Sequence, residues 1–328
     1  MERAFVDILA CPDCANRPSL DLTVDEEAGT DIIAGRLSCP ECRRIFPIVR
    51  GIPRFVADAE NYCDNFAYEW TRWGRVQIDH LAGHRLSERR FLADTRLPET
   101  WFKGKLVLDA GCGAGRFAAV AAALGARVVA VDISGAVDAA RDNVPASVYF
   151  AQASLLRLPF WSETFDAIYC FGVIQHTPDP AATMSLLPRY LKAGGRLAYN
   201  FYEIDWRTRF QPVKYLLRRF TPKLSLTALH RLVWALTVTF FPLSWVLSHI
   251  RFVRFVNIML PICASHNRDL SIRQQFTWTL LDTFDWYSPR YEIRQSHTAV
   301  ADILRRAELT EVTSEPGLAW GVMPPRIG

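Results

Sequence analysis

The segment Leu106-Val-Leu-Asp-Ala-Gly-Cys-Gly-Ala-Gly115 decides the fold of this 328-residue chain. Its first half is apolar apart from Asp109, and its second half alternates glycine with small residues up to Arg116. Glycine permits a tight turn and lets backbone N–H groups approach a ligand at the N-terminus of the following helix. The segment therefore predicts a buried strand, a ligand-binding turn and a helix, an arrangement that a nicotinamide dinucleotide fold would share.

Strand and helix patterns alternate on both sides of this segment. Further strands are expected at 127–132, 147–151, 165–171, 196–202, 309–314 and 318–323. Helices are expected at 116–124, 135–142, 181–191 and 297–307. Repeated strand–helix units of this length predict an α/β fold, with a doubly wound, mostly parallel seven-stranded sheet and helices on both of its faces.

Five short motifs follow one another along these elements, namely Leu108-Asp-Ala-Gly-Cys-Gly-Ala-Gly115, Val131-Asp-Ile133, Leu158-Pro-Phe160, Phe165-Asp-Ala-Ile168 and Leu191-Lys-Ala-Gly-Gly-Arg-Leu197. They resemble the successive motifs of class I, Rossmann-like S-adenosylmethionine-dependent methyltransferases of the type 11 kind. The resemblance covers about 104–202 and the C-terminal tail. It implies S-adenosylmethionine as the cofactor and a closing hairpin that makes the last strand antiparallel.

Several residues of these motifs are candidate cofactor ligands. Asp109 precedes the first glycine, where it can hold the amino group of a methionine moiety, whereas a pyrophosphate would be repelled there. Asp132 ends the second strand, where a carboxylate can accept both ribose hydroxyls. The family usually has an aspartate at Ser154, so here the adenine amino group would meet an uncharged acceptor or the backbone at Leu155. The predicted set is Asp109, Gly111, Cys112, Gly113, Gly115, Asp132, Ile133, Ser154, Leu155 and Phe171.

His176 is the candidate general base for catalysis. It follows the fourth strand at the carboxyl end of the sheet, where ligands bind in such folds. A structural role, in which it caps the proline-rich turn that follows, is an equal alternative. Tyr202, Glu203 and His297 are weaker candidates, and the segment 285–291 resembles one that lines acceptor pockets in related enzymes.

The motifs leave the methyl acceptor open. The segment 170–180 lacks the Asn/Asp-Pro-Pro-aromatic sequence of amide and exocyclic-amine methyltransferases. This absence favours an oxygen or carbon atom of a small-molecule, glycan or lipid-linked acceptor. Methylation of tRNA or rRNA is the alternative function, and a non-catalytic binding module is a third hypothesis.

Two Cys-Pro-x-Cys pairs, Cys11 with Cys14 and Cys39 with Cys42, lie near the N-terminus with 24 residues between them. Each pair places two thiolates at one tight turn, and four thiolates complete a closed tetrahedral site, so the pairs predict a structural zinc ion. With the sequence around them, they are similar to the small zinc-ribbon activator subunit of eukaryotic tRNA, rRNA and release-factor methyltransferases. This resemblance implies an activator fused to its enzyme.

The patterns divide the chain into domains. We predict a zinc ribbon at 1–57, linker helices at 58–105, the methyltransferase domain at 106–203 and 282–328, and a helical insertion at 204–281. The insertion is basic and hydrophobic, because it contains 11 of the 38 Lys and Arg residues but only 2 of the 34 Asp and Glu residues. The net charge of the whole chain, +4, by itself indicates no particular partner.

Residues 232–250 of the insertion have no formal charge and are long enough to span a bilayer. However, the strands before and after the insertion belong to one sheet, which requires an even number of crossings, and Pro242 is expected to break the helix. A lid in the membrane interface is therefore preferred over a buried lid or dimer core, and a true span is the least favoured. We expect peripheral membrane contact through 204–281, with RNA as the less favoured partner. The N-terminus shows no signal-peptide pattern, which predicts a cytoplasmic protein.

Overall fold

The computed structural model describes residues 1–56, 63–145, 147–205 and 211–325. The predicted domain boundary between residues 57 and 58 lies outside these ranges. The described chain forms a four-stranded sheet near the N-terminus and a seven-stranded sheet after it. The predicted α/β class is therefore confirmed.

The N-terminal sheet is an antiparallel meander that consists of β1 (Asp21–Ala28), β2 (Asp31–Ser38), β3 (Ile45–Val49) and β4 (Ile52–Pro53). The sequence patterns did not predict β1, because four of its eight residues are acidic and its apolar alternation is limited to Leu22 and Val24. An acidic edge strand of this kind discourages pairing with another chain.

The seven-stranded sheet provides the framework for the site. Its strands are β5 (Leu106–Ala110), β6 (Arg127–Asp132), β7 (Val148–Gln152), β8 (Phe165–Cys170), β9 (Leu191–Asn200), β10 (Thr310–Glu315) and β11 (Leu318–Val322). They lie in the order β10-β11-β9-β8-β5-β6-β7, and β11 runs antiparallel to both of its neighbours. The implied antiparallel last strand is therefore confirmed. The strand order reverses between β5 and β8, and such a switch point opens a crevice at the carboxyl ends of the strands.

The helices are α1 (Asp64–Trp73), α2 (Asp79–Ala82), α3 (Leu86–Thr95), α4 (Arg116–Ala123), α5 (Ala136–Asn143), α6 (Pro180–Leu186), α7 (Pro212–Arg218), α8 (Leu226–His249), α9 (Ile272–Tyr287) and α10 (His297–Arg306). The helix predicted at 181–191 is shorter than expected. Because Pro188 cannot donate a backbone hydrogen bond, a 3-10 turn over Leu187–Tyr190 replaces the end of the helix, and β9 begins directly after it.

The insertion is built around α8 and α9, which pack against each other. The prediction that Pro242 breaks the helix is wrong, because α8 continues through it for 24 residues. Pro242 lies on the exposed side of α8, where water can satisfy the carbonyl group that loses its N–H partner. α9 also runs across the predicted boundary between residues 281 and 282, so the insertion and the segment after it share a helix.

The N-terminal sheet shares its hydrophobic core with one face of the large sheet. Phe5 and Leu9 belong to the same buried cluster as Phe160, and Leu9 pairs with Phe160 in an isolated β-bridge. The guanidinium of Arg17, which is 9% exposed, donates hydrogen bonds to the carbonyl oxygens of Leu158 and Phe160. The N-terminal region is therefore packed against the seven-stranded sheet.

Candidate active site

The glycine turn after β5 adopts a backbone conformation that other residues rarely take. Gly111, Gly113 and Gly115 have φ angles of +89°, +52° and +88°. A Cβ atom at Gly111 would lie 2.3 Å from a methyl carbon of Val173, and one at Gly115 would lie 2.3 Å from a methyl carbon of Val144. Glycine is therefore required both for the backbone angles and for close packing.

Asp132 at the end of β6 holds this turn in place. Its Oδ2 accepts a hydrogen bond from the backbone N–H of Gly113 at 2.9 Å, and its Oδ1 accepts from the backbone N–H and the hydroxyl of Ser134 at 2.9 and 2.7 Å. Burial raises the pKa of Asp132, and these hydrogen bonds oppose the rise. A carboxylate has about four acceptor positions, so Asp132 can still accept a hydroxyl group of a ligand.

A cavity of about 330 Å³ lies next to this turn, within the size range of small-molecule sites. The candidate base His176 lines it together with seven of the ten predicted cofactor ligands, namely Gly111, Cys112, Gly113, Asp132, Ile133, Leu155 and Phe171. The fold therefore brings together residues from the ends of β5, β6 and β8 and from the segment after β7.

Three predicted ligands do not line the cavity: Asp109, Gly115 and Ser154. Asp109 belongs to β5 and is only 2% exposed, so its side chain lies inside the fold. Burial, and secondarily the charge of Asp132, raises the pKa of Asp109 well above its ordinary range. The hydroxyl of Ser154 accepts the backbone N–H of Leu156 at 3.3 Å, which stabilises the turn after β7. A direct ligand role for these three residues stays a prediction.

Helix α1 covers the glycine turn from outside. A Cβ atom at Gly113 would lie 3.0 Å from the indole ring of Trp70, and the ring of Phe66 lies 5.3 Å from that of His176. The sequence predicted linker helices in this region, but it did not predict that Phe66 and Trp70 would line a cavity. Helix α9, which packs against α1, also lines the cavity through Leu281, Asp282, Asp285 and Trp286.

The two ring nitrogens of His176 have different environments. Nδ1 lies 2.9 Å from the carbonyl oxygen of Tyr291, and since a carbonyl only accepts, Nδ1 carries the proton in the neutral ring. Nε2 is then the nitrogen with a lone pair. It has no hydrogen-bond partner within the described parts of the chain, and the nearest carboxylate oxygen, Oδ1 of Asp285, is 3.9 Å away. His176 is 5% exposed, so bulk water is largely excluded from it.

Of the three weaker candidates for the catalytic base, one lines the cavity and two do not. Tyr202 lines the cavity and its hydroxyl donates to Oδ2 of Asp285 at 3.4 Å. Glu203 instead accepts the backbone N–H of His297 at 3.0 Å and contacts its Nδ1 at 3.2 Å, outside the cavity lining. Because this contact joins the end of β9 to the start of α10, Glu203 and His297 have a structural role.

Other cavity residues were not predicted from the sequence. Glu69, Gln175 and Asp282 line the cavity. Of these three residues, only Glu69 could have been recognised from the sequence. It lies three residues after Phe66 and four before Trp73, so it places a charge on an otherwise apolar helix face. No local pattern distinguishes Gln175 or Asp282, because they reach the cavity only through the tertiary fold.

The cavity residues fit S-adenosylmethionine. Asp132 can accept ribose hydroxyls, and Ile133, Leu155 and Phe171 supply apolar contacts beside it. A Cβ atom at Gly172, which also lines the cavity, would meet no described atom within 4 Å, so the backbone is open to a ligand there. Burial lowers the pKa of Arg116 to about 9, so this cavity-lining guanidinium is charged at neutral pH and can bind a carboxylate.

The four predicted zinc ligands converge. The sulfur atoms of Cys11, Cys14, Cys39 and Cys42 all lie within 4.8 Å of one another. The distances from Cys11 to Cys42 and from Cys14 to Cys39 are both 3.7 Å. Zn–S bonds of about 2.3 Å in a tetrahedron place the sulfurs roughly 3.8 Å apart, so the geometry suits a closed, structural zinc site.

Two family models match the chain. Residues 108–199 match a model described as a methyltransferase domain, and residues 2–51 match one described as Trm112p-like protein. The first match covers β5 to β9 and the glycine turn, and the second covers the four cysteines. Both resemblances inferred from the sequence motifs are therefore confirmed.

Curated relatives match the methyltransferase domain. A ubiquinone biosynthesis O-methyltransferase of Thiobacillus denitrificans is 32% identical over 135 residues, which are 39% of this chain and 57% of the relative. The methyltransferase GfsG of Streptomyces halstedii is 36% identical over 130 residues, 37% of this chain and 45% of the relative. The chain thus spans about half the length of the curated relatives it matches.

Some solved structures match a larger part of the chain than the curated relatives do, but with lower sequence identity. A complex that contains the Trm112 methyltransferase activator of Haloferax volcanii covers 80% of this chain and 99% of its own, with 16% identity and a TM-score of 0.44. A magnesium protoporphyrin IX methyltransferase of Synechocystis with bound SAH covers 78% and 94%, with 16% identity and a TM-score of 0.41. The chain therefore contains a region that matches the Trm112p-like family and a region that matches the methyltransferase domain family.

Proposed function

We propose that this protein transfers a methyl group from S-adenosylmethionine to a hydroxyl oxygen of an acceptor that is presented at a membrane surface. The observation that carries the proposal is the environment of His176. Its unpartnered Nε2 lines the same cavity as the glycine turn and Asp132. The curated relatives named as O-methyltransferases support an oxygen acceptor.

The residues of the cavity divide the work between binding and proton transfer. When bound, the cofactor supplies a methyl group that is already activated by the sulfonium charge. The glycine turn and Asp132 would hold the cofactor in the cavity that His176 also lines, which brings the acceptor hydroxyl and the methyl donor into one site. His176 accepts the hydroxyl proton at Nε2 while Nδ1 remains hydrogen-bonded to the carbonyl oxygen of Tyr291.

The surface of the insertion supports a membrane-associated acceptor. Of the nineteen large apolar side chains that are exposed in the described chain, fifteen lie within 204–281. Phe252 and Phe255 are the most exposed, at 85% and 68%. By length and composition α8 could cross a membrane, and only 22% of its most apolar window is buried. An exposed apolar surface of this extent indicates an interaction site.

Basic side chains accompany these apolar residues. Arg219, Lys223, Arg231, Arg251 and Arg254 are all exposed, and the sequence has no Asp or Glu from 206 to 268. Apolar side chains with interspersed cations suit an anionic lipid surface, where both the hydrophobic effect and charge contribute to binding. Nucleic-acid binding would need stacking platforms and phosphate contacts rather than exposed aliphatic side chains, so RNA is the weaker partner.

Two measurements test the proposal. Titration calorimetry with S-adenosylmethionine is expected to show binding at one site, and absence of binding rejects the methyltransferase function. Co-sedimentation with anionic vesicles of phosphatidylglycerol and phosphatidylcholine is expected to recover the protein with the vesicles. Salt-sensitive binding to bulk tRNA without binding to vesicles would instead favour RNA as the acceptor.

A double variant localises the membrane contact. Replacement of Phe252 and Phe255 by serine removes two exposed rings and is expected to reduce vesicle binding at least tenfold without a change in the unfolding temperature. Ile45→Ser is the matched control, because Ile45 is 61% exposed but lies in the N-terminal sheet. Equal vesicle binding by the double variant and the control would contradict the proposed surface.

A further inference from the structure

Glu69 is a buried acid in the cavity without a structural partner. It lies on α1 and is 0% exposed, and neither carboxyl oxygen has a hydrogen-bond partner in the described ranges. Removal of a carboxyl group from water without compensating hydrogen bonds is strongly unfavourable. A fold retains such a group where something outside the chain completes it.

The charges around Glu69 do not offset the free-energy cost of burying its carboxyl group. Burial raises its pKa well above the ordinary range, and the charges of Asp285 and Asp282 on α9 raise it further. These three acids line the cavity from α1 and α9, two helices that pack against each other. The two carboxyl oxygens of Glu69 have no hydrogen-bond partner among the described residues, so a ligand that donates hydrogen bonds can satisfy them.

Neighbouring groups in the cavity also lack donors. Nε2 of His176 and the side-chain amide of Gln175, which is 1% exposed, have no hydrogen-bond partner among the described residues. Oδ1 of Asp285 lies 3.9 Å from Nε2 of His176, which is beyond hydrogen-bond distance. Glu69, Gln175 and His176 together have five side-chain atoms without a hydrogen-bond partner among the described residues. Four of them can accept a hydrogen bond, namely both oxygens of Glu69, the amide oxygen of Gln175 and Nε2 of His176.

We propose that Glu69 binds a second hydroxyl group of the methyl acceptor, so that the acceptor is a compound with two or more hydroxyl groups. This inference rests on the proposed function, in which His176 takes the proton of the reacting hydroxyl. The reacting hydroxyl donates to Nε2 of His176, and another hydroxyl of the same molecule donates to the Glu69 carboxyl. An acceptor with a single hydroxyl group would leave Glu69 buried and without a hydrogen bond. The kcat/KM for such an acceptor is therefore expected to be lower than for a diol.

The first test uses the ligand-free protein. Glu69→Leu and Glu69→Gln are compared with Glu99→Gln, because Glu99 is an exposed glutamate outside the cavity. If Glu69 serves to bind a ligand and makes no stabilising contact within the protein, Glu69→Leu is expected to unfold at the same temperature as the wild type or at a higher one. A lower unfolding temperature for Glu69→Leu would show that Glu69 supports the fold, and it would overturn the inference.

The second test uses matched probes, catechol with phenol and 1,2-cyclohexanediol with cyclohexanol. The wild type is expected to methylate at least one diol with a kcat/KM about 10-fold or more above that of its partner. Glu69→Leu is expected to lose this preference through a raised KM for the diol, whereas Glu99→Gln retains it. Equal use of both members of each pair, a preference that survives Glu69→Leu, or rejection of both diols overturns the inference. Each of these results can occur with cofactor binding and vesicle binding intact, whereas failure of the proposed function removes one or both of them.

Discussion

The imidazole of His176 offers a lone pair to the cavity only because Tyr291 fixes the other nitrogen. His176→Ala is therefore expected to lower kcat by about 10²- to 10⁴-fold, the usual contribution of a general base. The affinity for S-adenosylmethionine should change little, because Asp132 and the glycine turn are intact. His80→Ala, which removes an exposed imidazole on α2, is the control for both measurements. A kcat within twofold of the wild type for His176→Ala would reject the role of base.

Asp132 combines a structural role and a binding role in one carboxylate. Asp132→Ala removes the acceptor for Gly113 and Ser134 and leaves their donors unsatisfied, at a cost of about 1–3 kcal/mol each where they are buried. We expect calorimetry to show cofactor affinity reduced at least tenfold, with a lower unfolding temperature. An unchanged dissociation constant would show that the carboxylate does not contact the ligand.

At the scale of the elements, a buried ionic cluster of Glu292 with Lys214 and Arg218 connects α7 to the segment after α9. Glu292 accepts from Lys214 at 3.1 Å and lies 3.5 Å from Arg218, and its side chain is 7% exposed. Burial alone would raise the pKa of Glu292, but Lys214 and Arg218 hold it below the ordinary value of 4.5. The cluster therefore stabilises the fold above pH 4.5, and this contribution is lost as the pH falls through the lower, folded-state pKa.

The corresponding variant is Glu292→Gln. It leaves Lys214 buried without its counter-ion, so we expect a loss of about 3–5 kcal/mol at pH 7. The difference from the wild type should shrink as the pH falls below 4.5, because the carboxylate of the unfolded wild type is then protonated, and it should be lost below the lower, folded-state pKa. Denaturant unfolding at pH 7 and pH 4 measures both values, and a difference that is independent of pH would contradict the ionic role.

At the scale of the whole molecule, the zinc site and the large sheet share one hydrophobic core. Cys11 and Cys39 belong to the same buried cluster as residues of β5 and β8. We expect Cys39→Ser, or chelation of zinc, to lower the unfolding temperature of the entire molecule in a single calorimetric transition. Two separate transitions, with the methyltransferase transition unshifted, would show that the N-terminal domain is an independent unit.

Much of the fold could be predicted from the sequence because its signals are local. The apolar run of β5, the three glycines after it and the order of strands and helices depend on residues close in the chain. The Cys-Pro-x-Cys pairs likewise indicate a metal site through their spacing alone. Errors occurred where tertiary packing overrides local preference, as at Pro242 within α8 and at β1, whose acidic residues pair with β2.

The sequence by itself determined the sheet, the position of the cofactor turn and the four metal-binding thiols, since each is specified within a few neighbouring residues. Only the tertiary structure decided which side chains meet in the cavity. Glu69 and Asp285 are more than two hundred residues apart, and Phe5 meets Phe160 across the boundary between two domains. Such contacts depend on how whole helices and sheets pack, because burial of apolar surface is not encoded in any single segment.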